Sequence, residues 1–529
     1  MAQSLGELFL VVVFKAVTGF LCLVFRLFAP QRSNLVGKKV PPVSDPLLLL
    51  SAKQLASKIR RKEVTSVEAV QAYIDRIQEV NPLLNAVIKD RFDAALQEAA
   101  MVDKLIEEET GGEEVLEDRL PLLGVPLSVK ESYALQGMPY TGGLASRKDV
   151  VATVDAPPVA WLKRAGAIPM GVTNTAEMCM WSESHNRLHG ITNNPYDLSR
   201  TAGGSSGGEG SLLGGAGAVI GVGSDIGGSI RIPSFFNGIF GHKPTPGVVT
   251  SEHQNPPTSG RQEEYISIGP MCRYAEDLLP MLKIMAGPNA HMLHLDTEVN
   301  LKKLRFFTIP HDGGSFLVNP VSKELIDIQK KVVERLEEDL GVKVEEVHFP
   351  ELRHSIQMWI AYMGLPDDNG KAPQSFAALI GEPGRPVKPL WELLKWMCGR
   401  SSHTFAAIGL TLLEIHSSKA SPFIIEQKEK LQKAMEELLG SDGVFLYPTH
   451  PRVAPITHHP LFRPFDFAYT GTPTGFFVFF GLLCLYCRDR TVERARNQGL
   501  RESGERVAGE ETQAVFIYIL PIEVHNLNS

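Results

Sequence analysis

Apolar positions along the chain fall into three kinds of run. The first is nearly continuous and covers residues 8–29, LFLVVVFKAVTGFLCLVFRLFA, interrupted by the charges of Lys15 and Arg26. One membrane crossing takes roughly 20 mostly apolar residues. A charge in mid-segment, as at Lys15, costs about 2.5–3.5 kcal/mol on the insertion scale. A spanning anchor and an interfacial helix both fit this run. A cleaved signal peptide fits least, because no small-x-small cleavage pattern follows it. Glu7 precedes the run, and Arg26, Arg32, Lys38 and Lys39 lie at or beyond its end. By the positive-inside rule this asymmetry directs the following chain to the cytoplasmic side.

The second kind of run steps by three and four residues. After a proline-bearing linker over 40–48, Leu55, Ile59, Val64, Val67, Val70, Tyr73, Ile74 and Ile77 recur in this way and predict helices over 51–108. Thr65-Ser66-Val67-Glu68 reads as a capping box, and Asn81-Pro82 as a break. An acidic loop is expected between Gly111 and Pro121. Further helices are predicted over 155–165 and 323–340, and two apolar ones over 390–398 and 405–415.

The third kind is short and predicts strands. Val125, Leu127 and Val129 share one face, with Ser128 and Lys130 on the other. Similar runs cover 167–172, 218–222, 342–347 and 443–445. Strands and helices alternate to about Pro244, which points to an α/β fold with a sheet packed between helices.

Composition narrows the function classes. A 529-residue chain with 43% hydrophobic and 21% charged residues is globular. A net charge of −7 gives no electrostatic footprint for nucleic acid. Six scattered cysteines make no disulfide framework. Cys484 and Cys487 form a single CxxC in an apolar run, without the second pair that a zinc site needs.

Candidate chemistry concentrates in residues 199–233. Between Gly203 and Gly228, 12 of 26 residues are glycine. A flexible linker would explain the density, but not the apolar run 218–222 or the charges of Asp225 and Arg231. Backbone that must turn tightly or approach a ligand closely explains all of it. Ser205 sits in Gly203-Gly204-Ser205-Ser206-Gly207-Gly208, and Ser229 ends Asp225-Ile226-Gly227-Gly228-Ser229. Backbone N–H groups of Ile226, Gly227, Gly228 and Ser229 can converge into an oxyanion hole beside a serine nucleophile. The base must come from elsewhere. Lys130 ends an apolar strand 75 residues before Ser205, where burial would favour its neutral form. Asp225 and Arg231 are expected to pair and brace the loop, with Ser206 as a supporting neighbour. Met178, Cys179 and Met180 read either as plain core or as the wall of a ligand site.

Lys130, Ser205 in GGSSGG and Ser229 in DIGGSIR resemble the Ser-cisSer-Lys triad of the amidase signature family, in order and in spacing. Met178-Cys179-Met180-Trp181, Asn193-Asn194-Pro195-Tyr196-Asp197 and 236–244 (FNGIFGHKP) resemble the membrane-anchored vertebrate fatty-acid amide hydrolases of the second type within it. The resemblance implies the amidase-signature fold, an α/β fold with a mixed, twisted β-sheet packed between α-helices. It makes Ser229 the acylated nucleophile, Ser205 (after a cis peptide bond) the proton relay and Lys130 the base. It also implies a fatty-acid amide as substrate, membrane lipid as a partner and no metal or organic cofactor. An N-terminal anchor in an endomembrane (endoplasmic reticulum or lipid droplet) is expected, and oligomerisation is left open. The helices near 389–416 read either as buried core or, as the resemblance implies, as a membrane-facing cap, with Lys388, Lys395 and Arg400 suited to lipid headgroups.

The expected organisation is an anchor over 1–33, linker and helices over 34–110, a catalytic domain over 111–470, and a divergent tail over 471–529. The resemblance stops near Thr470. The apolar run 475–484 is too short to span, and the charged stretch 488–512 is expected to be disordered. Three competing readings remain. Gly203-Gly204-Ser205-Ser206-Gly207 fits a nucleophile elbow, which would pair Ser205 with His242 or His450 in an α/β-hydrolase. A glutamine-hydrolysing transamidosome component would share the triad, although the apolar helices suit a greasier substrate. The altered C-terminus would also fit an inactive, membrane-bound lipid-binding protein.

Overall fold

The computed structural model describes residues 33–471, apart from 296, 316, 383 and 416–420. The apolar segment 8–29, the run 475–484 and the Cys484–Cys487 pair lie outside the described residues. Among the described residues no helix is long and apolar enough to cross a membrane.

A six-stranded mixed sheet carries the site. Its strands in chain order are β1 (Val87–Asp90), β2 (Pro126–Lys130), β3 (Ile168–Thr173), β4 (Ile220–Asp225), β5 (Phe240–Gly241) and β6 (Ser267–Cys272), arranged β1-β3-β2-β4-β6-β5. The middle of the sheet is parallel: β2 pairs with β3 on one side and β4 on the other. The outer pairings β1–β3, β4–β6 and β6–β5 are antiparallel. Every residue of β2, β3 and β4 is buried, as a parallel sheet covered on both faces requires. A smaller parallel sheet holds Arg305–Thr308 between Val344–Glu346 and Gly443–Leu446.

The helices at Ala52–Arg60 and Ser66–Leu84 both begin with capping boxes, the second at Thr65 and Glu68 as its sequence requires. Three local expectations are corrected. Asn81-Pro82 does not break the helix, because Pro82 falls in its last turn and the chain leaves three residues later at Asn85 in the left-handed region. There the Asn81 side chain accepts the N–H groups of Ala86 and Val87, which starts β1. The helical expectation over 51–108 is thus interrupted by a four-residue strand at the sheet edge. The acidic stretch after Gly111 is a helix, Gly112–Arg119, and not a loop.

Helices over Lys323–Leu340, Pro389–Met397 and Phe405–Ile415 fall where the apolar spacing puts them. The last two are labelled α1 (Pro389–Met397) and α2 (Phe405–Ile415). One face of α1 leaves Leu390, Trp391, Leu394 and Met397 exposed.

Candidate active site

Lys130 ends β2 with its side chain on the face that meets the glycine-rich loop. It is fully buried. Its Nζ donates to Ser205 Oγ at 2.7 Å and to Ser224 Oγ at 2.9 Å. Burial pushes this amine below the usual lysine range, opposed by Cys179, Asp225 and Glu209. A neutral amine held by two hydroxyls can accept a proton from one while donating to the other.

Ser205 follows a cis Gly204–Ser205 peptide bond. Its carbonyl accepts from Thr175 Oγ1 at 3.0 Å and Ser184 Oγ at 2.9 Å. A Cβ on Gly204 would run into Trp181 O and lie 2.5 Å from Glu183 N, so only glycine fits there. The next turn enters the helix Gly207–Gly214. In the nucleophile-elbow reading Ser205 should face a histidine. The hydroxyl instead meets Lys130, while His450 Nδ1 is engaged with Arg452 O.

Ser229 lies on the loop between β4 and the helix Arg231–Asn237. Its carbonyl accepts from Ser206 N at 3.1 Å, which ties the two serine loops together. Ser229 is half-buried, and among the described residues its hydroxyl has no hydrogen-bond partner. The loop is braced from within. Asp225 accepts from the Arg231 guanidinium at 2.9 and 2.8 Å and from Ile230 N at 3.0 Å. Burial disfavours the Asp225 carboxylate, but Arg231 overcomes this and holds its pKa well below the carboxylate range. Ser206 Oγ adds a long contact to Ser224 O at 3.4 Å.

The oxyanion set needs one correction. Gly228 N donates to Asp225 Oδ1 at 2.7 Å, so its N–H is spent on the brace. The N–H groups of Ile226, Gly227 and Ser229 make no hydrogen bond among the described residues and remain available. From outside, Thr470 Oγ1 donates to Gly227 O at 2.8 Å, and Trp359 Nε1 reaches Ile226 O at 3.5 Å. Gly228 has φ of +124°, and a Cβ there would collide with Thr470 Oγ1.

Two contributors were not singled out from sequence. Ser224 is the second hydroxyl on Lys130. Glu209, fully buried, accepts from Ser128 Oγ at 2.5 Å and Thr173 Oγ1 at 2.7 Å. Burial pushes the Glu209 carboxyl up to about 7, against the pull of those two hydroxyls. Ser224 carried a signal in its place beside Asp225 at the end of β4; nothing local in the sequence marked Glu209.

Of Met178, Cys179 and Met180, Cys179 is the one that acts on Lys130. Met178 and Cys179 have positive φ, and Cys179 Sγ lies 3.5 Å from Thr175 Oγ1. Met178 and Met180 join Leu144, Phe376, Ile380 and Ala407 in one apolar cluster that reaches α2. Just before them, Glu177 meets His403 Nδ1 at 2.7 Å and accepts from Thr404 N at 2.8 Å, which fastens the α1–α2 connection to this wall.

A family model described as Amidase matches residues 68–461. The chain is 65% identical over 472 residues to fatty-acid amide hydrolase 2-A of Danio rerio, covering 89% of this chain and 88% of that one. It is 54% identical over 439 residues to fatty-acid amide hydrolase 2 of Homo sapiens, covering 82% of each. Among solved structures, a fatty acid amide hydrolase superposes with a TM-score of 0.63 at 24% identity, over 82% of this chain and 73% of that one. A 6-aminohexanoate cyclic dimer hydrolase gives 0.60 at 22% identity, over 82% and 89%. At such identities the two superpositions speak for the fold.

Proposed function

The chain belongs to the amidase signature family and is a hydrolase acting on amide bonds, and on that premise we propose that it cleaves fatty-acid amides, both primary amides and N-acylethanolamines, to free fatty acid and amine. Lys130 draws a proton from Ser205, and Ser205 from Ser229, whose oxygen attacks the carbonyl carbon. Negative charge gathers on the carbonyl oxygen, where the N–H groups of Ile226, Gly227 and Ser229 receive it. The proton returns through Ser205 to the nitrogen, the C–N bond breaks and the amine leaves. Water, activated by the same relay, then releases the acyl group from Ser229. None of these steps calls for a metal or an organic cofactor.

The substrate class rests on one observation. The apolar cluster from Met178 and Met180 to Phe376, Ile380 and Ala407 flanks Cys179, which acts directly on Lys130. It offers an acyl chain a dry wall and offers the polar side chain of glutamine nothing. The names of the fatty-acid amide hydrolase relatives support the same class. Each methylene in an apolar pocket is worth about 1–3 kcal/mol. A long-chain primary amide should therefore exceed acetamide in kcat/KM by more than about 10³-fold, with glutamine turnover negligible. Steady-state rates on the three compounds check this; comparable turnover of glutamine would refute it.

Residues 8–29 and the exposed face of α1 are proposed to hold the protein at a membrane. The motive is the apolar run itself and the exposure of Leu390, Trp391, Leu394 and Met397. Deleting residues 1–33 should move most of the protein from carbonate-washed membranes to the supernatant. Complete retention would shift the role to α1, and Trp391→Ser with Leu394→Ser in the deleted chain should then release it.

A further inference from the structure

Glu183, His185 and His458 converge on one point from two separate stretches of chain. One ligand atom from each lies within 4.8 Å of the other two. Glu183 is buried, and both histidines are partly open to solvent. Glu183 Oε1 already accepts from His458 N at 2.8 Å, which fixes the carboxylate. Its Oε2 lies 3.4 Å from His458 Nδ1. The His185 and His458 rings stand 5.7 Å apart, edge to face at 64°. Two ligands on a tetrahedral Zn²⁺, each about 2.0–2.1 Å from the metal, are about 3.3 Å apart. The Glu183–His458 separation meets that spacing, and His185 offers a ring nitrogen within 4.8 Å of both. Two imidazoles and one carboxylate, with solvent at the fourth position, form a common zinc set.

We propose that Glu183, His185 and His458 form a binding site for a divalent transition cation such as Zn²⁺, separate from the Lys130–Ser205 pair, which pins together the two segments framing the serine loops. The first segment backs Ser205. Trp181 O and Glu183 N press on Gly204, while Ser184 Oγ donates to Ser205 O and accepts from Gly207 N at 2.7 Å. The second segment pairs with the chain leading to Ser205, through Thr201 N to Pro455 O and Thr457 N to Ser199 O. It runs on to Thr470, which holds Gly227 O. A cation across Glu183, His185 and His458 therefore ties the support of Ser205 to the support of the oxyanion loop. The reaction proposed above takes no step through it, and the inference stands whether or not the substrate is a fatty-acid amide.

The test uses the full chain, stripped with a chelator and titrated with ZnCl₂ against a chromophoric chelator, alongside thermal unfolding. The wild type should bind one equivalent saturably and unfold at a higher temperature with zinc than without. His185→Ala should weaken binding by more than about 100-fold, the upper range for loss of a mere supporting partner, and should abolish the thermal shift. His185→Asn, closer in size, serves if the alanine variant folds poorly; circular dichroism and metal-free fluorophosphonate labelling at the wild-type rate establish that either variant is intact. Absence of saturable binding, or equal binding by the wild type and a folded His185 variant, would overturn the site.

Discussion

Ser229→Ala should lower kcat on a fatty-acid amide by more than about 10⁵-fold, the scale on which removing a serine nucleophile disables a hydrolase. The variant should keep its fold. Ser229 is half-buried and its hydroxyl has no partner among the described residues, so truncation leaves no buried group orphaned. Its unfolding free energy should stay within about 0.5 kcal/mol of wild type. The backbone that matters is retained: Ser206 N still reaches the carbonyl of residue 229, and Asp225 still holds Gly228 N and Arg231. Ser205→Ala is a useful contrast. In the proposed mechanism it removes the relay but leaves the nucleophile, and it should cost about 10²–10⁴-fold, the usual worth of positioned proton transfer. A Ser229→Ala enzyme within about 100-fold of wild type, with Ser205→Ala the more damaged of the two, would reverse the roles.

Lys130→Ala should cut amide turnover by about 10²–10⁴-fold and remove the acidic limb of the pH–rate profile. The sign follows from burial. Desolvation disfavours the ammonium, so the Lys130 pKa lies below the usual lysine range. In the proposed mechanism the working form is the neutral amine, so activity should rise with pH through that pKa and fall as the amine takes up a proton. Lys130, Ser205 and Ser224 share hydrogen bonds, so the apparent value belongs to the group. Lys130→Glu should not rescue the amide reaction at neutral pH, since a carboxylate is a far weaker base. A matched methyl ester should suffer less than the amide, because an amine leaves only after protonation. Equal loss on both substrates, with the acidic limb intact, would make Lys130 structural. Glu209 offers a control on the same limb: it is one of the groups opposing the downward shift of Lys130.

The motif-bearing residues were legible because each sits where a local pattern is unambiguous. Alternation along β2 put Lys130 opposite Val129, glycine density marked both serine loops, and opposite charges six residues apart foretold the Asp225–Arg231 pair. What escaped depends on partners distant in sequence. The strand Val87–Asp90 is four residues long and exists because β3 offers it an edge. Pro82 looks like a helix breaker until its place in the last turn, with Asn81 capping the exit, is known. The helix Gly112–Arg119 buries only Leu116, too little periodicity to notice. That Gly228 spends its N–H on Asp225 is invisible in DIGGS, where all four amides look alike. Glu209 was hidden in plain view among glycines. Only the packing of its helix against β2 and β3 brings its carboxyl to Ser128 and Thr173.

In the proposed mechanism Ser229, served by Ser205 and Lys130, supplies the oxygen that carries the acyl group. The most direct measurement is to react the purified protein with a fluorophosphonate and locate the adduct by peptide mass spectrometry. A single phosphonylated residue, Ser229, is expected, with labelling slowed in Lys130→Ala and absent in Ser229→Ala. An adduct on Ser205, or labelling that survives Ser229→Ala unchanged, would contradict it.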